Sequence, residues 1–268
     1  MVGTSRAGKR SNWYTIRMHK PILVANWKNH PDSLEQAKFI LKGLSRKSAI
    51  YKKLGTFIAP PHTYFESVSK LSKNFSHLAS QDISLEQKTC TSLVSVEILK
   101  SFGVRLAIIG HSERRALGES DETVSKKIKW VLRAGITPLL CVGEHEHDAE
   151  GEHLEFLQEE LKNSLASLRR HDLLGKLMIA YEPIWAIGKR AKDAMQPNDL
   201  SHMVIFIRKV LSDLFGREVA LKTPILYGGS VAPSNAEVLM STGISGFLVG
   251  HESLDSKNFG EIAESLNK

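Results

Sequence analysis

The sequence AYEPIWAIG at residues 180–188 follows the apolar run LMI (177–179), which has the composition of a buried strand. A single carboxylate, Glu182, therefore stands where this strand ends. Pro183 fixes its own φ and restricts the preceding residue to extended geometry, so the backbone that carries Glu182 is held in place. Residues 184–188 are too apolar for a solvated loop and have no helical or strand period, which favours a lid over a ligand. Taken alone, the segment is equally compatible with a surface glutamate at a strand end.

The alternation of a short apolar segment with a longer amphipathic one occurs eight times between residue 20 and the C-terminus. It predicts a parallel sheet with helical crossovers. No linker or shift in composition divides residues 20–268, so we expect one domain. Eight strand–helix pairs favour an α/β fold of the (β/α)8 barrel class, with a ring of helices outside eight parallel strands, over a doubly wound sheet. The predicted strands are 22–27, 56–59, 77–80, 105–109, 137–141, 176–180, 224–227 and 246–249, and the predicted helices include 33–44, 122–134, 152–169 and 200–215.

The composition is that of an ordinary globular protein, since 42% of the 268 residues are hydrophobic and 24% are charged. The net charge is +7, but residues 1–20 hold five basic residues and no acidic one, which leaves about +2 for the rest of the chain. The net positive charge of the chain is therefore weak evidence for a nucleic-acid partner. No apolar run approaches the ~20 residues that a membrane-spanning helix needs. We expect neither a nucleic acid nor a membrane as partner.

The cysteine content and the N-terminal segment bear on the compartment. Cys90 and Cys141 are too few for the disulfide framework of a secreted protein, so a reducing compartment, the cytoplasm, is expected. Residues 1–19 are expected to form a basic, disordered extension that precedes the barrel domain. Their Arg and Ser content without acids also resembles an organellar transit segment. Met18 offers an alternative start, which would make residues 1–17 a misassigned arm.

Polar residues and glycines cluster at the ends of the predicted strands, the face on which barrel enzymes carry their active sites. His111 begins a predicted helix, whose positive N-terminus favours a neutral imidazole. The glycines allow backbone N–H groups to approach an anion such as phosphate. The strand-end segments are NWK (26–28), GHSERR (110–115), Glu182 with its apolar loop, YGGS (227–230) and GH (250–251).

Each of these features has a plainer explanation when it is taken alone. Lys28 could be a solvated surface lysine, His111 a packed structural histidine, and the glycines ordinary turns and helix caps. Their combination is more specific. A base, a neutral histidine, a lysine and three glycine loops on one face predict a site for a small phosphorylated molecule with an acidic C–H bond.

Five motifs, in this order along the chain, resemble those of the triosephosphate isomerases. They are KPILVANWK (20–28), IGHSERR (109–115), YEPIWAIG (181–188), YGGSV (227–231) and GFLVG (246–250). The resemblance implies the (β/α)8 fold known as the TIM barrel, a homodimer, no cofactor and no metal. It also implies the interconversion of dihydroxyacetone phosphate and D-glyceraldehyde 3-phosphate through an enediolate, a step of glycolysis and gluconeogenesis.

The resemblance assigns catalytic roles residue by residue. Glu182 would take a proton from the carbon next to the substrate carbonyl and return it to the neighbouring carbon. His111 would donate to the carbonyl oxygen as a neutral electrophile. Lys28 would place a positive charge near the developing oxyanion and the phosphate, and Asn26 would complete the polar wall. Glu113 would be a buried carboxylate that organises Lys28.

A second set of residues is implied in substrate binding. The segment from Pro183 to about residue 192 would close as a lid, expel water and protect the enediolate from loss of phosphate. Ile187 and Leu248 would form an apolar clamp over Glu182. The implied substrate-binding and phosphate-binding residues are Asn26, Lys28, Gly188, Ser230, Gly250 and His251, of which the last four would offer backbone N–H groups to the phosphate.

The sequence departs from the family pattern at three places. The lid continues as KRAKDAM (189–195), where the family usually has a Thr-Gly-Lys-Thr-Ala segment. His251 replaces the second glycine of the usual strand-eight pair, so a side chain must fit there. Residues 91–93 are TSL, where the family often has Thr-Gly-Glu in the loop that enters a partner subunit. We therefore expect a dimer whose interface is more apolar at Leu93.

Other interpretations stay open from the sequence. His145, Glu146, His147 and His153 could suggest a metal site, but their spacing fits no zinc pattern well and a solvated helix start is favoured. Cys141 is expected to be a packed thiol rather than a nucleophile. A different phosphate-binding barrel that forms an enediolate would fit the fold, as would a binding barrel without catalysis. The joint presence of all four catalytic candidates argues against the second.

Overall fold

The computed structural model describes residues 20–85, 91, 93–146, 151–189 and 195–267, and these residues contain a closed barrel. Each strand pairs in parallel with its neighbours in sequence, and the last strand pairs with the first. The predicted (β/α)8 fold class is thus confirmed. The strands are β1 (Ile22–Asn26), β2 (Gly55–Ala59), β3 (His77–Ser80), β4 (Leu106–Ile109), β5 (Thr137–Val142), β6 (Met178–Tyr181), β7 (Ile225–Tyr227) and β8 (Gly246–Val249).

Helices follow the strands and cover the outside of the barrel. None of those in the described part of the chain combines the length and apolar character needed to cross a membrane. The α-helices are α1 (Leu34–Ser45), α2 (Ser48–Lys53), α3 (Phe65–Ser72), α4 (Val96–Ser101), α5 (Ser112–Ala116), α6 (Asp121–Arg133), α7 (Glu152–Ser164), α8 (Arg170–Leu173), α9 (Pro197–Phe215), α10 (Arg217–Lys222), α11 (Pro233–Met240) and α12 (Ser256–Ser265).

The predicted helix over residues 152–169 is too long. Helix α7 ends at Ser164, and a separate short helix, α8, follows at Arg170–Leu173. The apolar period continues past Ser164, which explains the prediction, but the backbone N–H of Ser167 donates to Ser125 Oγ on α6 at 3.1 Å. A tertiary hydrogen bond therefore replaces the helical one, a competition that periodicity does not register.

Alternation of side chains along each strand builds two cores. In β6, Met178 and Ala180 belong to the cluster inside the barrel, whereas Ile179 and Tyr181 pack in the layer between the barrel and the helices. Successive strand residues point to opposite faces of a sheet, so the next inward position after Ala180 is Glu182. The two-residue period of the strand therefore places the Glu182 side chain at the mouth of the barrel.

Several sequence-based expectations lie outside the described residues. They concern the basic extension at residues 1–19, Cys90, Ser92 in the loop after β3, His147, and the tip of the lid at residues 190–194.

Candidate active site

A cavity of about 430 Å³ opens at the carboxyl ends of the strands. It gathers all the residues that the sequence analysis placed in the site except Glu113. That residue lines an adjoining cavity, which shares part of its wall with the first. The predicted site residues around the first cavity are Asn26, Lys28, His111, Glu182, Gly188, Ser230, Gly250 and His251.

Glu182 is almost completely buried, with 3% of its surface exposed. Its backbone N–H donates to the carbonyl of Val142 at 2.8 Å, which fixes the end of β6 against the end of β5. Gly228, directly after β7, leaves room for its side chain, because a Cβ there would lie 2.7 Å from Glu182 Cγ. The carboxylate oxygen Oε2 accepts a long hydrogen bond of 3.4 Å from the N–H of Ser112.

His111 directs one ring nitrogen into the protein and the other toward Glu182. It is the N-cap residue of α5, where its Nδ1 accepts a hydrogen bond from the N–H of Glu113 at 3.2 Å. Since Nδ1 accepts, the proton of a neutral imidazole must be on Nε2. That atom lies 3.4 Å from Glu182 Oε1. The geometry therefore presents an N–H donor beside a carboxylate at the cavity wall.

Lys28 has an unusual backbone conformation. Its φ of 51° makes it the sole non-glycine residue with positive φ in the described ranges. The strained backbone is held by two hydrogen bonds, from Lys28 N–H to Asn26 Oδ1 at 3.1 Å and from Gln81 Nε2 to the Lys28 carbonyl at 2.6 Å. Such conformations persist only when neighbouring groups enforce them, and they concentrate at functional sites.

Gln81 is a site residue that the sequence analysis missed. Besides the Lys28 carbonyl, its side-chain amide donates to the carbonyl of Ala59 at 2.9 Å, so it ties the end of β2 to the loop after β1. Gln81 is the first residue after β3. Its position at a strand end was the signal that could have found it, because the other site residues share that position.

Within the single chain, Glu113 is not the buried carboxylate that the resemblance implies. Its side chain is 58% exposed and faces the adjoining cavity from the first turn of α5. It does contact Lys28 as expected, with 2.6 Å between Nζ and Oε1. Partial burial opposes ionisation, but the Lys28 ammonium and the nearby His111 hold the pKa of the Glu113 carboxyl below its usual value. Burial at this position depends on what fills the adjoining cavity.

The apolar segment after Glu182 is docked on a buried carboxylate. Ile184–Ala186 form a 3-10 turn, and the indole N–H of Trp185 donates to Glu144 Oε1 at 2.8 Å. The hydroxyl of Tyr181 donates to the same oxygen at 2.8 Å, and burial raises the pKa of Tyr181 far above its usual value. Glu144, which the sequence analysis also missed, stands two residues after β5.

The glycine-rich loops after β7 and β8 line the same cavity as Glu182. Ser230 Oγ donates to the carbonyl of Ala186 at 2.8 Å, which links the loop after β7 to the lid segment. Gly250 precedes a 3-10 turn over His251–Leu254 at the end of β8. Residues of these loops line the cavity together with Gly188, and a Cβ on Gly250 would lie 3.7 Å from Lys28 Cε. Helix and turn starts of this kind present N–H groups that suit an anion.

Comparison with known proteins identifies the family. The model of the triosephosphate isomerase family matches residues 21–266. The chain belongs to the triosephosphate isomerase family. Among its relatives, the triosephosphate isomerase of Geobacter metallireducens is 39% identical over 252 residues, which cover 91% of this chain and 98% of the relative. That of Mycoplasma pneumoniae is 38% identical, covering 92% and 99%, and that of Roseiflexus castenholzii is 35% identical, covering 93% and 99%.

Two departures from the triosephosphate isomerase pattern fall on described residues. The side chain of His251 is exposed, so the residue in place of a family glycine lines the cavity without filling it. Leu93 is half exposed and lines the adjoining cavity. Of the altered lid segment 189–195, the structure describes only Lys189 and Met195, and Met195 is buried.

Of the alternative metal site, the structure describes His145, Glu146 and His153 but not His147. No group of three or more metal-ligating side chains occurs in the part of the chain that the structure describes. The ring of His145 instead packs edge-on against Phe156, with 5.8 Å between the ring centroids. Cys141 is buried as expected, and burial together with the Glu182 carboxylate raises the pKa of its thiol well above the usual value. It is therefore a neutral, packed thiol.

Proposed function

We propose that this chain interconverts dihydroxyacetone phosphate and D-glyceraldehyde 3-phosphate by proton transfer through an enediolate, as its relatives' name indicates for them. Membership of the triosephosphate isomerase family supports this function. The observation that carries it is geometric: His111 Nε2 and Glu182 Oε1 lie 3.4 Å apart in one cavity with Lys28. We also propose that residues 20–268 are the catalytic domain and that the enzyme acts in the cytoplasm, in glycolysis and gluconeogenesis.

Glu182 is the base of the proposed reaction. The carboxylate removes a proton from the carbon next to the substrate carbonyl, which leaves an enediolate with negative charge on oxygen. The same carboxylic acid then gives the proton to the neighbouring carbon, so one group serves both half-reactions and no atom is gained or lost. Its backbone is fixed by Pro183 and by the hydrogen bond to Val142, which limits the positions that the carboxylate can occupy.

His111 and Lys28 stabilise the charge that develops on oxygen. His111 donates its Nε2 proton toward the carbonyl oxygen and moves protons between the two oxygens of the enediol. A neutral imidazole suits this role, because its acidity is closer to that of an enediol than the acidity of an imidazolium is. Lys28 supplies a fixed positive charge near the oxyanion and the phosphate, and Asn26 holds the Lys28 backbone.

The phosphate is proposed to bind on the loops after β6, β7 and β8. Gly188, Ser230, Gly250 and His251 bring backbone to that side of the cavity. Closure of the segment after Glu182 would exclude water, which strengthens each electrostatic contact with the substrate. Exclusion of water also protects the enediolate, whose exposed form can expel its phosphate group.

A coupled assay tests the proposed function. The purified full-length chain should convert D-glyceraldehyde 3-phosphate to dihydroxyacetone phosphate, followed through an NADH-dependent dehydrogenase, in buffer that contains EDTA. Turnover should continue in EDTA because every proposed step uses a side chain of this chain. Ribose 5-phosphate serves as the comparison substrate, and its isomerisation should be undetectable. Absence of triose turnover at saturating substrate, or preferred turnover of the pentose, would overturn the proposal.

We further propose that a second copy of the chain fills the adjoining cavity, whose volume is about 580 Å³. Three features support a homodimer. The rim carries exposed apolar residues, with Leu117 77% and Leu93 50% exposed. The floor carries a buried ionic cluster in which Lys127 contacts Asp82 and Glu119. The cavity also shares Lys28 and His111 with the active site, so an occupant would complete the wall behind them.

Substitution of Leu117 by Asp should dissociate this dimer. The wild-type chain of 29.8 kDa should sediment at twice that mass at micromolar concentration, whereas the variant should sediment as a monomer with lower kcat. A charge placed in an apolar interface disfavours association by several-fold or more. Leu221→Asp is the matched control, because Leu221 is 60% exposed but lies beside Lys20 and Pro21, away from the active site. A monomeric wild type, or equal dissociation of both variants, would refute the dimer proposal.

A further inference from the structure

A second carboxylate, Glu160, lies buried behind the active site and has no role in the proposed mechanism. It projects from α7 and is 5% exposed. Both of its oxygens are used: Oε2 accepts a hydrogen bond from the N–H of Gly143 at 2.8 Å, and Oε1 lies 3.1 Å from Arg115 Nε. Burial of a carboxylate is unfavourable unless specific partners compensate it, so the two contacts need an explanation.

The first contact reaches the backbone of Glu182. A Cβ on Gly143 would overlap the carbonyl of Glu182, so the Gly143 backbone lies directly against the peptide that follows the base. On either side of this contact, the N–H of Glu182 donates to Val142 O at 2.8 Å and the N–H of Ile184 donates to Glu144 O at 2.9 Å. The backbone of residues 142–144 thus packs against the backbone of residues 182–184, and Glu160 binds residue 143 through its N–H group.

The second contact reaches the backbone of His111. Arg115, which pairs with Glu160, donates its Nε–H to the carbonyl of Gly110 at 2.8 Å, and Gly110 immediately precedes His111. The Arg115 guanidinium is held in turn by Asp121 and by Ser164 Oγ, the latter at 3.1 Å. The Arg115–Glu160 pair therefore joins the segment that carries His111 to the segment that carries Glu182.

We propose that Glu160 is a positioning residue of the active site, which sets the distance between His111 and Glu182 through Arg115 and Gly143. This inference rests on the proposed isomerisation. Glu160 does not line the active-site cavity, so it acts through the two backbone segments and not on substrate. A displacement of about 1 Å between reacting groups lowers rates by up to about a hundredfold, so such support affects kcat more than KM.

The protonation state of Glu160 affects this support. Four groups face it: Arg115 and Asp121 from the region after β4, Cys141 on β5, and Glu182 after β6. Burial raises the pKa of Glu160 to about 7, although Arg115 and the Gly143 N–H oppose the change. The ionised form accepts a hydrogen bond from the Gly143 N–H and pairs its charge with the Arg115 guanidinium. Protonation removes the negative charge that pairs with Arg115, so this contact weakens as the pH falls through about 7, whereas the acid keeps an oxygen that can accept from the Gly143 N–H.

Three variants of α7 test the inference in the full-length enzyme. Glu160→Leu, which can accept from neither partner, should lower kcat about tenfold with KM within about twofold of wild type. Glu160→Gln retains one acceptor oxygen and should behave like the protonated form. The ratio of wild-type to Glu160→Gln kcat should therefore be near one at pH 6 and rise to about threefold at pH 8. The ratio cancels the ionisation of the substrate phosphate, which both enzymes share.

Leu161→Ala is the matched control, because Leu161 is fully buried on the same helix and contacts neither Gly143 nor Arg115 through a hydrogen bond. It should lower the Tm without lowering the kcat of the folded enzyme. Equal kcat losses in Glu160→Leu and Leu161→Ala, or an unchanged kcat in Glu160→Leu, would assign Glu160 a purely structural role. If the ratio of wild-type to Glu160→Gln kcat did not change between pH 6 and pH 8, the proposed effect of Glu160 ionisation on kcat would be refuted. Wild-type turnover in the same assay separates these failures from failure of the proposed isomerisation.

Discussion

Replacement of Glu182 by Gln should lower kcat by about a thousandfold while KM changes by less than about threefold. The amide cannot accept the carbon-bound proton, so both half-reactions lose their base. Substrate binding depends mainly on the glycine loops and Lys28, which the substitution leaves in place. Steady-state kinetics in both directions should give the same loss of kcat, because one group serves both. Exchange of the substrate C–H proton with deuterated solvent should fall by a similar factor.

The structure offers a control for this variant within the same cavity. Glu252 also lines the cavity, but it accepts a hydrogen bond from Asn258 Nδ2 at 2.7 Å and has no role in the proposed chemistry. Glu252→Gln should therefore keep kcat within about twofold of wild type. A thermal melt should show that both variants are folded. If Glu182→Gln kept more than a tenth of wild-type kcat, or if Glu252→Gln lost as much, Glu182 could not be the base.

The sequence was sufficient for the barrel and for the positions of the main site residues because both follow from short-range rules. Eight apolar segments separated by amphipathic ones leave few alternatives to a closed parallel sheet. Once β6 was located, the period of two residues placed Glu182 at the barrel mouth after Met178 and Ala180. Pro183 fixed the backbone there, independently of any tertiary contact.

The connections behind the site could not be predicted, because they join residues that are distant in sequence. Glu160 and Gly143 are 17 residues apart, and Gln81 and Lys28 are 53 residues apart. A glutamate on an amphipathic helix has the same sequence signature whether it faces solvent or a buried N–H group. The exposure of Glu113 in the single chain has a related cause, because burial depends on neighbouring surfaces, which a local sequence pattern does not contain.

The backbone of Lys28 gives a reason to expect a large effect from its substitution. A positive φ is unfavourable for a non-glycine residue by about 1 kcal/mol or more, whereas glycine adopts it without this cost. The chain nevertheless places a lysine at φ 51°, held by Asn26 and Gln81. Its ammonium lies 2.6 Å from Glu113 at the cavity wall. The strained backbone of Lys28 thus places the positive charge of its side chain at the cavity wall.

Replacement of Lys28 by Met should lower kcat/KM by about 10² to 10³, with contributions from both a lower kcat and a higher KM. The charge interacts with the oxyanion, which develops in the transition state, and with the phosphate, which is present throughout. Lys28→Gly removes the same charge but also the backbone strain. It should be as inactive as Lys28→Met yet more stable than Lys28→Met by about 1 kcal/mol in denaturant unfolding.

Lys189→Met is the control for loss of positive charge, because Lys189 also lines the cavity but extends from the lid segment. Its kcat/KM should stay within about threefold of wild type. A Lys28→Met enzyme with kcat/KM within fivefold of wild type would show that net positive potential, and not the placement of one ammonium, serves the reaction. Equal stability of the Gly and Met variants would instead show that the φ of Lys28 carries no strain. Only a large loss in both Lys28 variants, combined with a stability difference between them, fits a backbone distorted to position one charge.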